Sequence, residues 1–174
     1  MGLDDIGTRR FPCSRLRVAV SDEQGRSLAG NLARWLGGVA PSRAGGLVNI
    51  AVVSDARVRA LNRQYRGIDR ATDVLSFPAT IVLPQRSRGS FPKTGPRSSV
   101  VEHFLGDIVI ARGVARRQAR AARHGEATEI KVLALHGLLH LLGYDHERDT
   151  GAMARVERRL RRKGGLREGL LERP

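Results

Sequence analysis

A chain of 174 residues and 19.0 kDa is the size of one domain, and a domain of this length buries about 70% of the surface its unfolded chain exposes. Apolar residues at 41% and charged residues at 28% are ordinary globular values with no apolar run near the ~20 residues of a membrane span, and the single Cys13 excludes an internal disulfide framework and a cysteine-based zinc knuckle. The balance of 31 Lys and Arg against 17 Asp and Glu, formally +14, points to polyanionic partners.

The first 14 residues contain no 7–15-residue apolar core, so they read as a variable N-terminal end, neither signal nor anchor. Leu16-Arg17-Val18-Ala19-Val20 alternates as a half-buried strand does, and Leu28, Leu32, Trp35 and Leu36 recur at helical spacing before Gly37-Gly38, read as the stop. Gly46 to Val53 is a β-branched run, after which Ser54 caps a helix bearing Val58, Leu61 and Tyr65. Asp73 to Phe77, closed by Pro78, and Leu105 to Ala111 are two more strands. Residues 84–103 between them read as a flexible insertion loop, rich in Pro, Gly and basic side chains.

Arg112, Arg116, Arg120 and Arg123 fall on one side of the next helix as a basic stripe, with Val114, Ala115, Ala119 and Ala122 on other faces. Glu126 to Leu142 is a strongly apolar helix with Ile130, Leu133, Leu138 and Leu141 as core candidates, ended by Gly143. Asp149 can cap a last helix that turns Met153, Val156 and Leu160 inward and arginines outward. The alternation predicts a single compact α/β (α+β) domain over 15–165, with a small mixed sheet, about five helices around the histidine-bearing one, and a basic tail at 166–174. Only four Phe, two Tyr and one Trp are present, which argues for phosphate contact over base stacking as the source of any affinity for nucleic acid.

His136-Gly137-Leu138-Leu139-His140-Leu141-Leu142-Gly143-Tyr144-Asp145-His146 carries three of the five histidines. Positions 136 and 140 lie one turn apart on one helix face, Gly143 lets the chain leave the helix, and His146 can swing back as a third ligand with an open position left for water or substrate. Imidazole ligands suit zinc, and nickel or copper can occupy the same site according to availability. His103 and His124 lack such company and read as surface or loop residues, while Asp145, Glu147 and Asp149 are the nearby carboxylates able to orient an imidazole. The ligand spacing matches the metzincin pattern, but the glutamate that activates water in those peptidases is replaced by Gly137, so a standard peptidase mechanism is not expected.

This segment resembles the YbeY family of bacterial single-domain metal-dependent endoribonucleases, whose H-G-x-L-H-L-x-G-Y-D-H it reproduces in full. Leu61-Asn62-Arg63-Gln64-Tyr65-Arg66, Thr72-Asp73-Val74-Leu75-Ser76-Phe77-Pro78 and Leu105-Gly106-Asp107-Ile108-Val109-Ile110 match further family segments in order, with Ala71 where the family usually has proline. The resemblance implies one metal ion on His136, His140 and His146, zinc or another divalent transition metal, with Arg66 as the catalytic arginine and single-strand-acting endoribonuclease activity in ribosomal RNA maturation and small-subunit quality control. It also implies ribosomal RNA and the small ribosomal subunit or its proteins as partners, no membrane, no small-molecule cofactor, and a cytoplasmic location. The alternative is a ribosome-assembly binding factor whose metal is structural.

Overall fold

A computed structural model describes residues 15–79, 103–144 and 150–166. The expected N-terminal end at 1–14, residues 84–102 of the expected insertion loop, and 167–174 of the basic tail lie outside these residues.

Four strands and five helices follow in the order β1 (Leu16–Asp22), α1 (Leu32–Val39), β2 (Gly46–Val53), α2 (Asp55–Arg66), β3 (Val74–Pro78), β4 (Phe104–Ala111), α3 (Arg112–Ala121), α4 (Glu126–Leu141) and α5 (Ala152–Lys163). The sheet runs β1-β2-β4-β3, with β1, β2 and β4 parallel and β3 antiparallel on the edge beside β4. The expected mixed sheet with helices around a central histidine-bearing helix is therefore the observed architecture.

Alternation decides which side chains each face buries. Val48 and Ile50 of β2 and Ile108 and Ile110 of β4 are buried in one cluster with Leu36, Leu133, Leu135, Leu138, Leu139, Met153 and Leu160 from α1, α4 and α5. A smaller cluster of Val53, Val58, Leu75 and Ala111 includes the inner side of α2. Burial of these side chains, worth roughly 1.5–3 kcal/mol for each large one, is the main force holding α4 on β3 and β4. Gly106 permits the close pairing of β3 with β4, since a Cβ there would stand 2.2 Å from the Phe77 carbonyl oxygen.

Local chemistry sets the helix ends. Ser54 caps α2, its hydroxyl accepting from the Arg57 N–H at 3.3 Å, as its position in sequence suggests. Asp55 caps the neighbouring helix instead of its own, accepting from the Val114 N–H at 3.0 Å and from Arg117 at 2.9 Å, so that α2 and α3 are tied end to end. Three expectations are corrected here. α1 starts at Leu32, leaving Leu28 exposed before it, and runs through Gly37 and Gly38 to stop ahead of Pro41, whose ring disfavours helix in the residue before it. α3 ends at Ala121, and Arg123 has φ 55°, off the helix. Gly151 takes the N-cap position of α5, and Asp149 lies outside the described residues.

Candidate metal centre

The C-terminal half of α4 positions the central pair. His136 and His140, one turn apart and both half-buried, have their Nε2 atoms 3.1 Å from each other, with ring centroids 4.8 Å apart and planes at 73°. Behind them stands a carboxylate from another helix: Glu157 of α5 lies 3.4 Å from Nδ1 of His136, and its other oxygen accepts from Arg161 one turn further along. Burial works against ionisation of Glu157, but the His136 hydrogen bond and the Arg161 charge outweigh it and hold the carboxyl below its ordinary value. An ionised carboxylate can only accept, so in a neutral His136 ring the proton that faces Glu157 is the one on Nδ1, and Nε2 is the nitrogen able to take a ligand.

The YbeY resemblance implies a metal, and the donors present fit one. Two imidazole nitrogens bound to one tetrahedral zinc at about 2.0–2.1 Å stand about 3.3 Å apart, close to the observed 3.1 Å. An oriented His136 backed by a buried carboxylate is the arrangement that raises ligand basicity. The third expected ligand, His146, lies outside the described residues, as do Asp145, Glu147 and Asp149. Among the described residues no group of three or more His, Cys, Asp or Glu gathers as a metal site.

Glu157 escapes sequence reasoning because it is 21 positions from His136 and sits in an arginine-rich helix whose apolar spacing suggests Met153, Val156 and Leu160 as the inward residues. Glu157 is in fact buried with Met153 and Leu160, and Val156 is only half-buried. His124 lies in the loop between α3 and α4, one of its two expected places, but its side chain is only 10% exposed and lies 3.1 Å from the fully buried Glu129.

Arg66 stands exposed in the last turn of α2, and no described carboxylate is within ion-pairing distance of it. Its neighbour Tyr65 meets Phe77 of β3 edge-on, with centroids 5.2 Å apart. On the preceding residue of β3, the Ser76 hydroxyl donates to the Gly137 carbonyl at 3.3 Å, between the two histidine positions. One edge strand thus separates the turn carrying Arg66 from the helix carrying His136 and His140.

The basic stripe is partly neutralised. Arg112 and Arg116 both reach Glu126, at 2.7 and 3.0 Å, and Arg117 reaches Asp55.

Residues 19–163 match the family profile described as Endoribonuclease YbeY. A curated Endoribonuclease YbeY from Anaeromyxobacter sp. is 43% identical over 157 residues, covering 87% of this chain and 72% of that protein. Proteins of the same description from Solibacter usitatus, at 47% over 122 residues (70% of this chain, 69% of that one), and Koribacter versatilis, at 38% over 157 residues (90% and 87%), agree with it. The chain belongs to the YbeY family. A solution structure of a Thermotoga maritima protein shares the fold, with TM-score 0.53 and 25% identity over 86% of this chain and 88% of that one.

The fold also gives a physical reason why this YbeY chain has glycine where metzincins have their catalytic glutamate. A Cβ on Gly137 would stand 2.8 Å from Ile108 Cγ2 and 3.0 Å from Ser76 Oγ, so α4 lies too close to the sheet to take a glutamate side chain there without displacing its neighbours. The ligand spacing is shared with those peptidases, and the position of their general base is filled by the sheet.

Proposed function

We propose that this chain is a metal-dependent endoribonuclease acting on single-stranded RNA, with one zinc ion held by His136, His140 and His146 and Arg66 as the catalytic residue. The observation that carries the reading is the convergence of the His136 and His140 Nε2 atoms to 3.1 Å with Glu157 behind His136. It is supported by family relatives that bear the name Endoribonuclease. When bound, zinc supplies a Lewis acid that polarises an oxygen and lowers the pKa of a water to about 7.

The chain's own groups do the rest. Glu157 keeps the His136 proton on Nδ1 and orients the ring, while Arg161 holds Glu157 ionised. Arg66, a planar guanidinium with no described carboxylate to neutralise it, clamps the scissile phosphate and stabilises the extra negative charge that gathers on phosphorus in the transition state. The formal +14 supplies salt-dependent attraction to the RNA backbone. The biological setting we infer is the cytoplasm, in ribosomal RNA maturation and small-subunit quality control, with ribosomal RNA and the small subunit or its proteins as partners; among the described residues no helix is long and apolar enough to cross a membrane.

The test is cleavage of RNA by the purified protein, with loss in His136→Ala and Arg66→Ala variants that keep the wild-type circular dichroism spectrum. Cleavage unchanged in both variants would overturn the proposal. One observation favours a second reading, an assembly factor with a structural metal: the His136–Glu157 contact joins the ligand helix α4 to α5, so a metal could tie down the C-terminal part of the domain. That reading predicts ribosome binding that survives Arg66→Ala and a melting temperature that falls on chelation.

A further inference from the structure

The turn that ends α2 shows chemistry that neither the metal centre nor the core accounts for. Folding hides most aromatic and branched side chains, yet of the three large hydrophobic side chains exposed among the described residues, two are on this turn: Tyr65 at 61% and Ile68 at 46%. The turn is rigidly built. Gly67 takes φ 71° and donates to the Arg63 carbonyl, and the Ile68 N–H donates to that of Asn62. The buried Asn62 side chain donates to the Arg70 carbonyl at 2.8 Å, and Arg59 grips both oxygens of Asp69 at 2.9 and 2.8 Å. Tyr65 is itself fixed by its edge-on contact with Phe77, so its exposure is a held geometry and not a frayed end.

Charge completes the description. Asp69, the one acid in this turn, is already engaged by Arg59, whereas Arg66 and Arg70 are exposed with no described carboxylate within ion-pairing distance. A fixed, exposed aromatic ring beside guanidinium groups free to take an anion matches a nucleotide whose base is unstacked: the base lies on the ring and the flanking phosphate meets an arginine. In a duplex the base faces are covered by their neighbours, so the same surface discriminates against paired RNA.

We propose that the α2 C-terminal turn is a nucleotide subsite for single-stranded RNA, with Tyr65 stacking one base and Arg70 holding a phosphate next to it. This rests on the ribonuclease reading and deepens it, because it places a substrate-binding side chain directly beside Arg66. It also reverses the expectation from composition that phosphate contact alone carries the affinity: one well-placed ring suffices for one base.

The experiment uses the full chain and single-stranded RNA oligonucleotides containing 2-aminopurine, whose fluorescence falls when the base stacks. Wild type, Tyr65→Phe, Tyr65→Ala and the control Leu28→Ala, which removes exposed apolar surface elsewhere, are compared for quenching, affinity and cleavage, with thermal melts to show that each is folded. Tyr65→Ala is expected to bind about 10-fold more weakly or worse, to lose the quench, and to raise KM more than it lowers kcat. Tyr65→Phe keeps the ring and stays near wild type, as does Leu28→Ala. Wild-type affinity and quench in Tyr65→Ala, or equal losses in the Phe and Ala variants, would overturn the subsite. If that happens while the wild type still cleaves RNA, the nuclease reading stands and the turn is assigned to a protein contact; if the wild type neither binds nor cleaves single-stranded RNA, both readings fall.

Discussion

A methyl group added at Gly137 probes the packing that sets the proposed metal centre. Carbon atoms in contact rest about 3.5–4.0 Å apart, and a Cβ at this position stands 2.8 Å from Ile108 Cγ2, so it intrudes by about 0.7 Å on a side chain that is itself fully buried in β4. Overpacking of this kind costs about 1–3 kcal/mol, against about 1 kcal/mol gained from replacing glycine inside a helix. The net loss is about 1 kcal/mol and at most about 2, which for a domain of this size lowers Tm by roughly 2–4 °C and by no more than about 8 °C. Relief comes by lifting α4 from the sheet, which moves His136 against Glu157 and weakens metal binding by about 10-fold. Differential scanning calorimetry of Gly137→Ala, with zinc affinity measured by chelator competition, reads both effects. A variant about 1 kcal/mol more stable than wild type, as helix propensity alone demands, would refute the close-packing argument.

Glu157→Gln keeps the size of the side chain and removes the charge that orients His136; zinc affinity should fall by about 10-fold with little change in the far-ultraviolet spectrum, and unchanged affinity would deny Glu157 its role. Arg66→Lys retains a positive charge but not the planar fork, so cleavage should fall about 100-fold while metal content stays at the wild-type level. Glu126 is held below its ordinary pKa first by its hydrogen bond with Arg112, then, against some burial, by Arg116. Its small contribution to stability is therefore present above the unfolded-state value and lost as pH falls through the lowered folded-state one. Because Glu126 occupies two arginines of α3, Glu126→Gln should tighten RNA binding and steepen its salt dependence; a slope equal to that of wild type would place Arg112 and Arg116 away from the RNA.

Local signals carried much of this fold. The β-branched run of β2, the Ser54 cap and the long apolar α4 all appear where the chain pattern puts them, because each depends on neighbours within a turn or two. Side-chain partners from distant segments were hidden. Nothing near Asp55 in the sequence indicates that it caps α3 across 59 positions, and nothing near Glu157 indicates His136. Gly37 and Gly38 read as a stop, but packing of Leu36 and Val39 into the core carries α1 past them. In the candidate site, the i, i+4 spacing of His136 and His140 was enough to predict their convergence, since a helix fixes that geometry. The absence of a described carboxylate beside Arg66 and the neutralisation of Arg112 and Arg116 depend on which carboxylates the tertiary fold brings close, information that a helical stripe does not contain.

The central claim is that His136 and His140 hold a metal on which RNA cleavage depends. Metal content by mass spectrometry on wild type and His140→Ala, paired with RNA cleavage before chelation, after it and after zinc is restored, tests it most directly. The account predicts close to one zinc per chain in the wild type, its loss in the variant, and cleavage that disappears and returns with the metal. Stoichiometric metal retained in His140→Ala, or cleavage indifferent to chelation, would contradict it.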